Sequence, residues 1–159
     1  MRVGIGYDSH RFDASGPLLL GGVKIPFDKH LIGHSDGDAV CHALTDAVLG
    51  AASLGDIGEM FSDRDQRNAG RNSVEMLAEA ARLVRAKGYK VAQADVTIIA
   101  EAPRMADFRE AMRQRLAGAL GVPVDAINVK AKTNEGMGWI GRGEGIACLA
   151  VATLALSDS

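Results

Sequence analysis

Asp8 and His10 stand two residues apart in the strand-like run that opens the chain. Side chains at that spacing on a strand point to the same side, so two donor groups converge. His42 falls in a segment of helical periodicity, on the face opposite its apolar stripe, with Asp38 and Asp46 one turn away on either side. A carboxylate at either position is placed to accept the second ring N–H and fix the tautomer. One Asp and two His leave a fourth tetrahedral position open, as in a catalytic zinc ion, or a similar divalent transition metal, whose last ligand is water or a substrate oxygen. All four histidines, His10, His30, His34 and His42, lie in the first 42 residues. Taken alone, a D-x-H pair equally fits histidines in ordinary hydrogen bonds.

Two further segments have the chemistry to handle anions. Gly33 to Asp38 reads GHSDGD just before the helical segment, so backbone N–H groups, the Ser35 hydroxyl and His34 are placed to meet a phosphate. The same residues also make a polar turn and a helix cap. Lys130 to Glu135 leaves a strand with two cations, a hydroxyl and one carboxylate. A Glu among phosphate-binding groups makes sense if a hard divalent cation bridges it to phosphate oxygens; a solvated strand end is the other explanation.

The elements that must position these groups follow from pattern and punctuation. Val3 to Tyr7 reads as a strand, and Leu18 to Leu20 with Val23 to Ile25, parted by Gly21 and Gly22, as a hairpin. Gly37 to Leu54 reads as a helix capped by Asp38, with Val40, Leu44, Ala47, Val48 and Ala51 on one face. Asp56 to Arg71 breaks all periodicity and predicts a mobile loop. A second helix starts at Ser73 and stops at Gly88; Lys90 to Ala100 alternates as a strand; Pro103 opens a third helix that Gly121 ends. Ile127 to Ala131 is a strand, and the apolar run Gly145 to Leu156 reads as a buried strand, although its Ala and Leu also suit a helix. This order predicts one α+β domain over residues 1–159, a mixed sheet packed by helices on one face.

Composition excludes several classes of function. With 47% hydrophobic and 24% charged residues in 159, a real core is expected. A net charge of −2 and no basic run leave no footprint for nucleic acid. No stretch reaches the roughly 18 to 20 apolar residues of a membrane span, and the chain opens directly on a strand, so a soluble cytoplasmic protein is expected. Cys41 and Cys148 each sit in an apolar run and read as buried thiols. No Ser/His/Asp arrangement is evident along the chain.

Taken together, YDSH at 7–10, GGVKIP at 21–26, HSDGDA at 34–39, HALTDAVLGAASLGDIG at 42–58, TIIAEAP at 97–103 and GRGEGIA at 141–147 resemble the 2-C-methyl-D-erythritol 2,4-cyclodiphosphate synthase family from about Val3 to Leu156. The resemblance implies a homotrimer with the sheets inside and active sites between subunits. It implies conversion of 4-diphosphocytidyl-2-C-methyl-D-erythritol 2-phosphate to the cyclic diphosphate and CMP. The 2-phosphate attacks the β-phosphorus, so the nucleophile belongs to the substrate.

By residue-by-residue matching, zinc falls to Asp8, His10 and His42, and magnesium or manganese to Glu135. His34 and Thr133 would stabilise the transition state. Ser35, Asp56, Ile57 and Gly58 would hold the erythritol phosphate end, and Phe61, Ser62, Asp63, Arg64 and Asp65 would cover it as a lid. Ala100, Glu101, Ala102, Pro103, Arg104 and Met105, with Lys132, would make the cytidine pocket supplied by the neighbouring subunit, and Asn134 would be a further substrate-binding residue. Glu101 stands where the family usually has Gln, and Arg104 where it usually has Lys. Trp139 would flank the substrate. Arg142 and Glu144 match positions near the trimer axis, where family members can enclose a cavity suited to an isoprenoid diphosphate.

Two other functions fit the same residues. A zinc phosphohydrolase would use His34 or Asp56 to activate water. A trimeric binding protein for isoprenoid diphosphates would keep the metal as structure alone.

Overall fold

Strand β1 spans Arg2–Ala14, well beyond the five residues expected, and presents Gly4, Gly6, Asp8 and His10 in succession on one face. The computed structural model describes residues 1–158. In it β1 pairs along most of its length with β7 (Gly145–Leu156), antiparallel, with Asp8 opposite Cys148 and His10 opposite Ile146. The sheet runs β4–β1–β7–β5–β6. Here β4 is Lys29–Leu31, too short to be read from sequence, β5 is Tyr89–Ile99 and β6 is Ile127–Lys132. Among the described residues β5 and β6 alone pair in parallel, so the sheet is mixed, as expected. The hairpin is present as β2 (Leu18–Leu20) and β3 (Val23–Ile25), a separate two-stranded sheet.

The Gly145 to Leu156 run is a strand, because its neighbours β1 and β5 offer backbone partners on both sides. One sheet face is buried under helices. The other leaves Val3, Ile5, Tyr7, Leu149 and Val151 exposed, with Ile5 opposite Val151 and Tyr7 opposite Leu149.

Helix α1 (Ala39–Ala51) lies directly on β1 and β7. Its burial goes beyond the single apolar stripe expected: 11 of its 13 residues are buried, His42 among them, because helix α3 (Ser73–Ala86) also packs against it. A helix that is apolar nearly all round belongs in a core. Its approach to the sheet is set by glycines. A Cβ on Gly6 would stand 1.8 Å from the Ala43 carbonyl oxygen, and one on Gly4 would stand 2.0 Å from that of Ala47. Only a strand without side chains at these two points lets the α1 backbone settle this close, with Ala43, Ala47 and Ala51 facing it.

Asp38 caps α1 as expected, accepting from Cys41 N at 3.1 Å. The same carboxylate also accepts from Gly21 N and Gly22 N at 2.9 and 2.7 Å, tying the β2–β3 turn to the helix start. It is fully buried, and that burial raises its pKa against the pull of the three N–H donors. Burial likewise pushes the Cys41 and Cys148 thiols well above their ordinary range, so both are inert core residues.

Residues 56–71 are not structureless. They form a short helix α2 (Ile57–Met60) capped by Asp56 and a 3₁₀ turn (Gln66–Asn68) capped by Asp65. Phe61 is buried there under the Arg71 guanidinium, 4.7 Å from its ring centre. Helix α3 (Ser73–Ala86) is capped by Asn72, one residue before the expected start, and Gly88 follows its end with positive φ. Pro103 does not open the third helix. Its peptide bond is cis, within a bend, and α4 (Arg109–Leu120) begins after an intervening 3₁₀ turn and ends on left-handed Gly121. A last short helix, α5 (Gly138–Gly141), precedes β7.

The close approach across β1 generates a paired prediction. Gly6→Ala forces backbone apart and costs at least ~3 kcal/mol in urea unfolding. Gly50→Ala, on the exposed side of α1 with no atom within 4 Å of its new Cβ, is neutral or stabilises by up to ~1 kcal/mol. Equal stabilities for the two variants contradict the packing argument.

Candidate metal centre and substrate clefts

Asp8 and His10 project from the buried face of β1, and the glycine-set approach of α1 brings His42 onto them. His10 Nε2 lies 2.7 Å and His42 Nδ1 3.1 Å from Asp8 Oδ2, and the two ring nitrogens are 3.1 Å apart. Three donor atoms from different points of the chain thus meet at one spot, as the sequence spacing predicts. A tetrahedral zinc ion with bonds of about 2.0–2.2 Å needs donor atoms roughly 3.3 Å apart, so a slight opening of this cluster accommodates it.

The proton positions favour the same fit. His10 Nδ1 is 2.6 Å from the Ile32 carbonyl oxygen, which only accepts, so Nδ1 carries a hydrogen. His42 Nε2 is 2.7 Å from both the Ser35 and Ser73 hydroxyl oxygens. Ser73 Oγ donates its single proton to Asp36, whose other oxygen accepts Ser73 N at 2.8 Å. The Ser73 oxygen therefore accepts from His42, and Nε2 carries the hydrogen. Both imidazoles, when neutral, then aim lone pairs at each other and at a carboxylate oxygen, an arrangement that needs a positive charge at its centre.

Without a metal that charge is a proton. Burial lowers the His10 pKa, but the hydrogen bond to Asp8 and the Asp8 charge outweigh it and hold the ring above its ordinary 6.5. For Asp8, burial acts to raise the pKa and the His10 and His42 contacts prevail, leaving it below 3.8. The metal-free pair is therefore most stabilising between about pH 3.8 and 6.5: its contribution is lost as pH falls through the Asp8 pKa or rises through that of His10.

Two readings from sequence need correction here. Neither Asp38 nor Asp46 orients His42. Asp38 is turned to the β2–β3 turn, and Asp46 accepts from Ile57 N at 2.8 Å, so hydroxyls do that work instead. A Ser–His–Asp contact also exists, Ser35–His42–Asp8. It has the wrong tautomer for nucleophilic catalysis, since a triad histidine needs its lone pair toward the serine and here Nε2 carries the hydrogen. Ser73 and Asp36 were missed because a serine at a helix start reads as a cap; at the first helical position its hydroxyl is free for other use. In the GHSDGD segment, Cys41 N at the start of α1 is already taken by Asp38, while His34 stays exposed beside the metal centre.

The expected site residues divide between two clefts. One holds Asp8, His10, His34, Ser35 and His42, and is walled by Ile57, Gly58, Phe61 and Asp63, with Asn68 and Met76 as unforeseen members. The other is formed by Ala100, Glu101, Pro103, Arg104 and Met105 facing Lys132 and Thr133, with Ala106, Arg109 and Ala131. Asp56 caps α2 beside the first cleft through Glu59 N at 2.8 Å. Ser62, Arg64 and Asp65 lie on the 61–65 segment outside the lining, and Ala102 is exposed on the bend of the second cleft. Trp139 shares a shallow hollow with Ser9, His10, Arg11 and Glu144. Arg142 is exposed and paired with Glu144 at 2.7 Å. Asn134 and Glu135 form the turn after β6, with the Glu135 carboxylate exposed. Within one chain, then, His34 and Thr133 belong to different clefts.

Comparison with known proteins gives one consistent result. A family model described as the YgbB family matches residues 1–155. A curated 2-C-methyl-D-erythritol 2,4-cyclodiphosphate synthase of Gemmatimonas aurantiaca is 57% identical over 154 residues, covering 97% of this chain and 93% of the relative. Among solved structures, a 2C-methyl-D-erythritol-2,4-cyclodiphosphate synthase in its CDP-bound form matches with a TM-score of 0.89 at 41% identity, over 97% of this chain and 100% of that one. The bifunctional IspDF from Campylobacter jejuni matches with a TM-score of 0.95 at 44% identity; it covers 99% of this chain, which spans only 42% of that longer one.

The hydroxyl relay to His42 makes a prediction separable from turnover. Ser73→Ala removes one acceptor and frees Asp36, and should weaken zinc binding about tenfold in a chelator competition assay. Unchanged affinity means that Ser73 does not set the ring.

Proposed function

The chain belongs to the YgbB family of 2-C-methyl-D-erythritol 2,4-cyclodiphosphate synthases, and from that premise we propose how its residues perform the cyclisation. The enzyme is a phosphorus–oxygen lyase of the non-mevalonate isoprenoid pathway. The 2-phosphate of 4-diphosphocytidyl-2-C-methyl-D-erythritol 2-phosphate attacks the β-phosphorus, the bond to the α-phosphate oxygen breaks, and CMP leaves. The observation that carries this reading is the convergence of Asp8, His10 and His42, three donors rather than the four of a closed structural site, in an open cleft lined by His34, Ser35 and Gly58.

Because nucleophile and leaving group share one molecule, the protein's task is to fold the substrate and hold two anions together. Holding reacting groups in place contributes up to ~7 kcal/mol or more of the barrier. In the first cleft, Ser35, Asp56, Ile57 and Gly58 hold the erythritol end, and the Phe61 to Asp65 segment excludes water. In the second, Ala100, Ala102, Pro103, Arg104 and Met105 with Lys132 hold the cytidine, Glu101 and Asn134 support this wall through the turn after β6, and Arg104 and Lys132 supply positive charge along the phosphates. His34 and Thr133 donate to phosphoryl oxygens as charge shifts to the leaving group. Asp8, His10 and His42 would hold a zinc ion and Glu135 a magnesium or manganese ion, which would supply Lewis-acid polarisation of phosphate oxygens and neutralise charge on the leaving group.

These groups lie in two clefts of one chain, which supports a site completed by a second copy. The open sheet face supports the same reading: Ile5 and Tyr7 are 70% and 54% exposed, beside Val151 and Leu149. A contiguous apolar face of this kind is costly in water. A cyclic trimer with the sheets inside covers it and sets the first cleft of one subunit against the second of its neighbour. Trp139 then flanks the substrate, and Arg142 approaches the axis, where an isoprenoid diphosphate is a fitting ligand. Among the described residues no helix is long and apolar enough to cross a membrane, and a cytoplasmic location agrees with the small phosphorylated substrate.

Phosphorus NMR of the products tests the chemistry. Two coupled diphosphate signals with equimolar CMP are expected, and His42→Ala should abolish both while the protein stays folded; free orthophosphate would instead identify a hydrolase. Subunit mixing tests the assembly. His42→Ala and Glu135→Ala chains, each inactive, should regain activity when refolded together, with about one site in four intact for random trimers. No recovery on mixing means that each chain carries a complete site.

A further inference from the structure

Glu101 lies in the bend that lines the second cleft, yet its side chain is committed elsewhere. Its Oε1 accepts from Asn134 N at 3.1 Å and from Gly136 N at 2.9 Å, the amides on either side of Glu135. Glu135 itself has φ +53°, one of three non-glycine residues in the left-handed region among the described residues. An L-residue reaches that conformation only when its surroundings fix it. The surroundings here are specific. Converging backbone N–H groups make a concavity for an anion, and the Glu101 carboxylate fills it.

The rest of the turn closes around this contact. Asn134 O accepts from Met137 N at 2.9 Å, the Asn134 side chain returns to Met137 O at 2.8 Å, and Thr133 Oγ1 accepts from Glu135 N at 3.3 Å. On the far side the turn is backed by α5, where a Cβ on Gly141 would stand 2.1 Å from the Gly136 carbonyl carbon. The base of the bend is fastened too, since Ala100 N donates to Lys132 O at 2.9 Å. These bonds occupy the polar groups of Glu101 and Asn134 within the turn, while Glu135 itself is exposed to solvent.

We propose that Glu101 is a positioning residue: by clasping the amides of Asn134 and Gly136 it holds Glu135 in its left-handed conformation and couples cation binding at Glu135 to nucleotide binding in the cleft. The inference rests on the assignment of Glu135 to the nucleotide-associated cation made above. A nucleotide seated against Ala100 to Met105 orders the segment that carries Glu101. Glu101 then presents Glu135 in one orientation to a divalent ion on the diphosphate. Only an acceptor oxygen is needed for this, so an amide in place of the carboxylate preserves the device.

Calorimetric titration of the full-length protein with CDP, with and without Mn²⁺, and with CMP lacking metal, tests this. In the unmodified protein Mn²⁺ should tighten CDP binding on the order of tenfold, and Glu135→Ala should abolish that gain. Glu101→Ala and Glu101→Met should lose most of the gain while CMP affinity stays within about threefold, and Glu101→Gln should restore it. Amide exchange at Asn134 and Gly136 should accelerate in Glu101→Ala and not in Glu101→Gln. A Glu101→Ala or Glu101→Met protein that keeps the full Mn²⁺ gain overturns the proposal, as does a loss of CMP affinity equal to that of CDP, which would make Glu101 a direct nucleotide contact. If Glu135→Ala and the unmodified protein respond alike to Mn²⁺, the cation assignment itself fails and the coupling falls with it.

Discussion

The structure depends on one steric constraint, the approach of helix α1 to strand β1 over Gly4 and Gly6. Those two residues have no side chains to hold the layers apart, and alanines at 43, 47 and 51 meet them from the helix. The strand then continues with Asp8 and His10 on the same face, so the step from glycine to ligand along one strand is a step from contact to cavity. His42 directly precedes Ala43 and is carried to the strand by that contact.

The second requirement is that each ligand present the correct atom. Here the sequence supplies acceptors in the right order around the two rings: a backbone carbonyl for His10, and serine hydroxyls backed by Asp36 for His42. The result is a site that is electrostatically incomplete without a cation, and the raised His10 pKa is the metal-free expression of that incompleteness. The same logic separates the centre from a hydrolytic triad that a distance list alone would suggest.

Much of this was legible in the sequence, and the losses have physical causes. D-x-H on a strand and a histidine on the next helix pointed to a three-ligand site, since periodicity fixes which side chains share a face. Periodicity does not tell how closely two layers pack, so one apolar stripe was legible on α1 and its nearly complete burial was not. The partners of His42 were misassigned because helical spacing offers only intrahelical neighbours, whereas Ser73 arrives from another helix 31 residues on. Residues 56–71 read as loop because their two short helical turns are held by Asp56 and Asp65 caps rather than by an apolar stripe. Pro103 read as a helix start, but the bend it occupies is fixed by long-range contacts from Ala100 and Glu101 to the turn after β6. The division of the site residues between two clefts was not legible from local pattern, since Ala100 to Met105 and Lys132 meet across parallel β5 and β6 while Asp8, His10 and His42 meet across β1 and α1.

The central claim is that Asp8, His10 and His42 bind one catalytic divalent ion with a position left open to substrate. Anomalous diffraction at the zinc absorption edge, on crystals of protein purified without chelator, tests it most directly. The account predicts a single strong peak per chain, about 2.0–2.2 Å from Asp8 Oδ2, His10 Nε2 and His42 Nδ1, with a fourth, non-protein ligand facing the cleft. An active preparation with no peak there, or a peak closed by a fourth protein side chain, contradicts it.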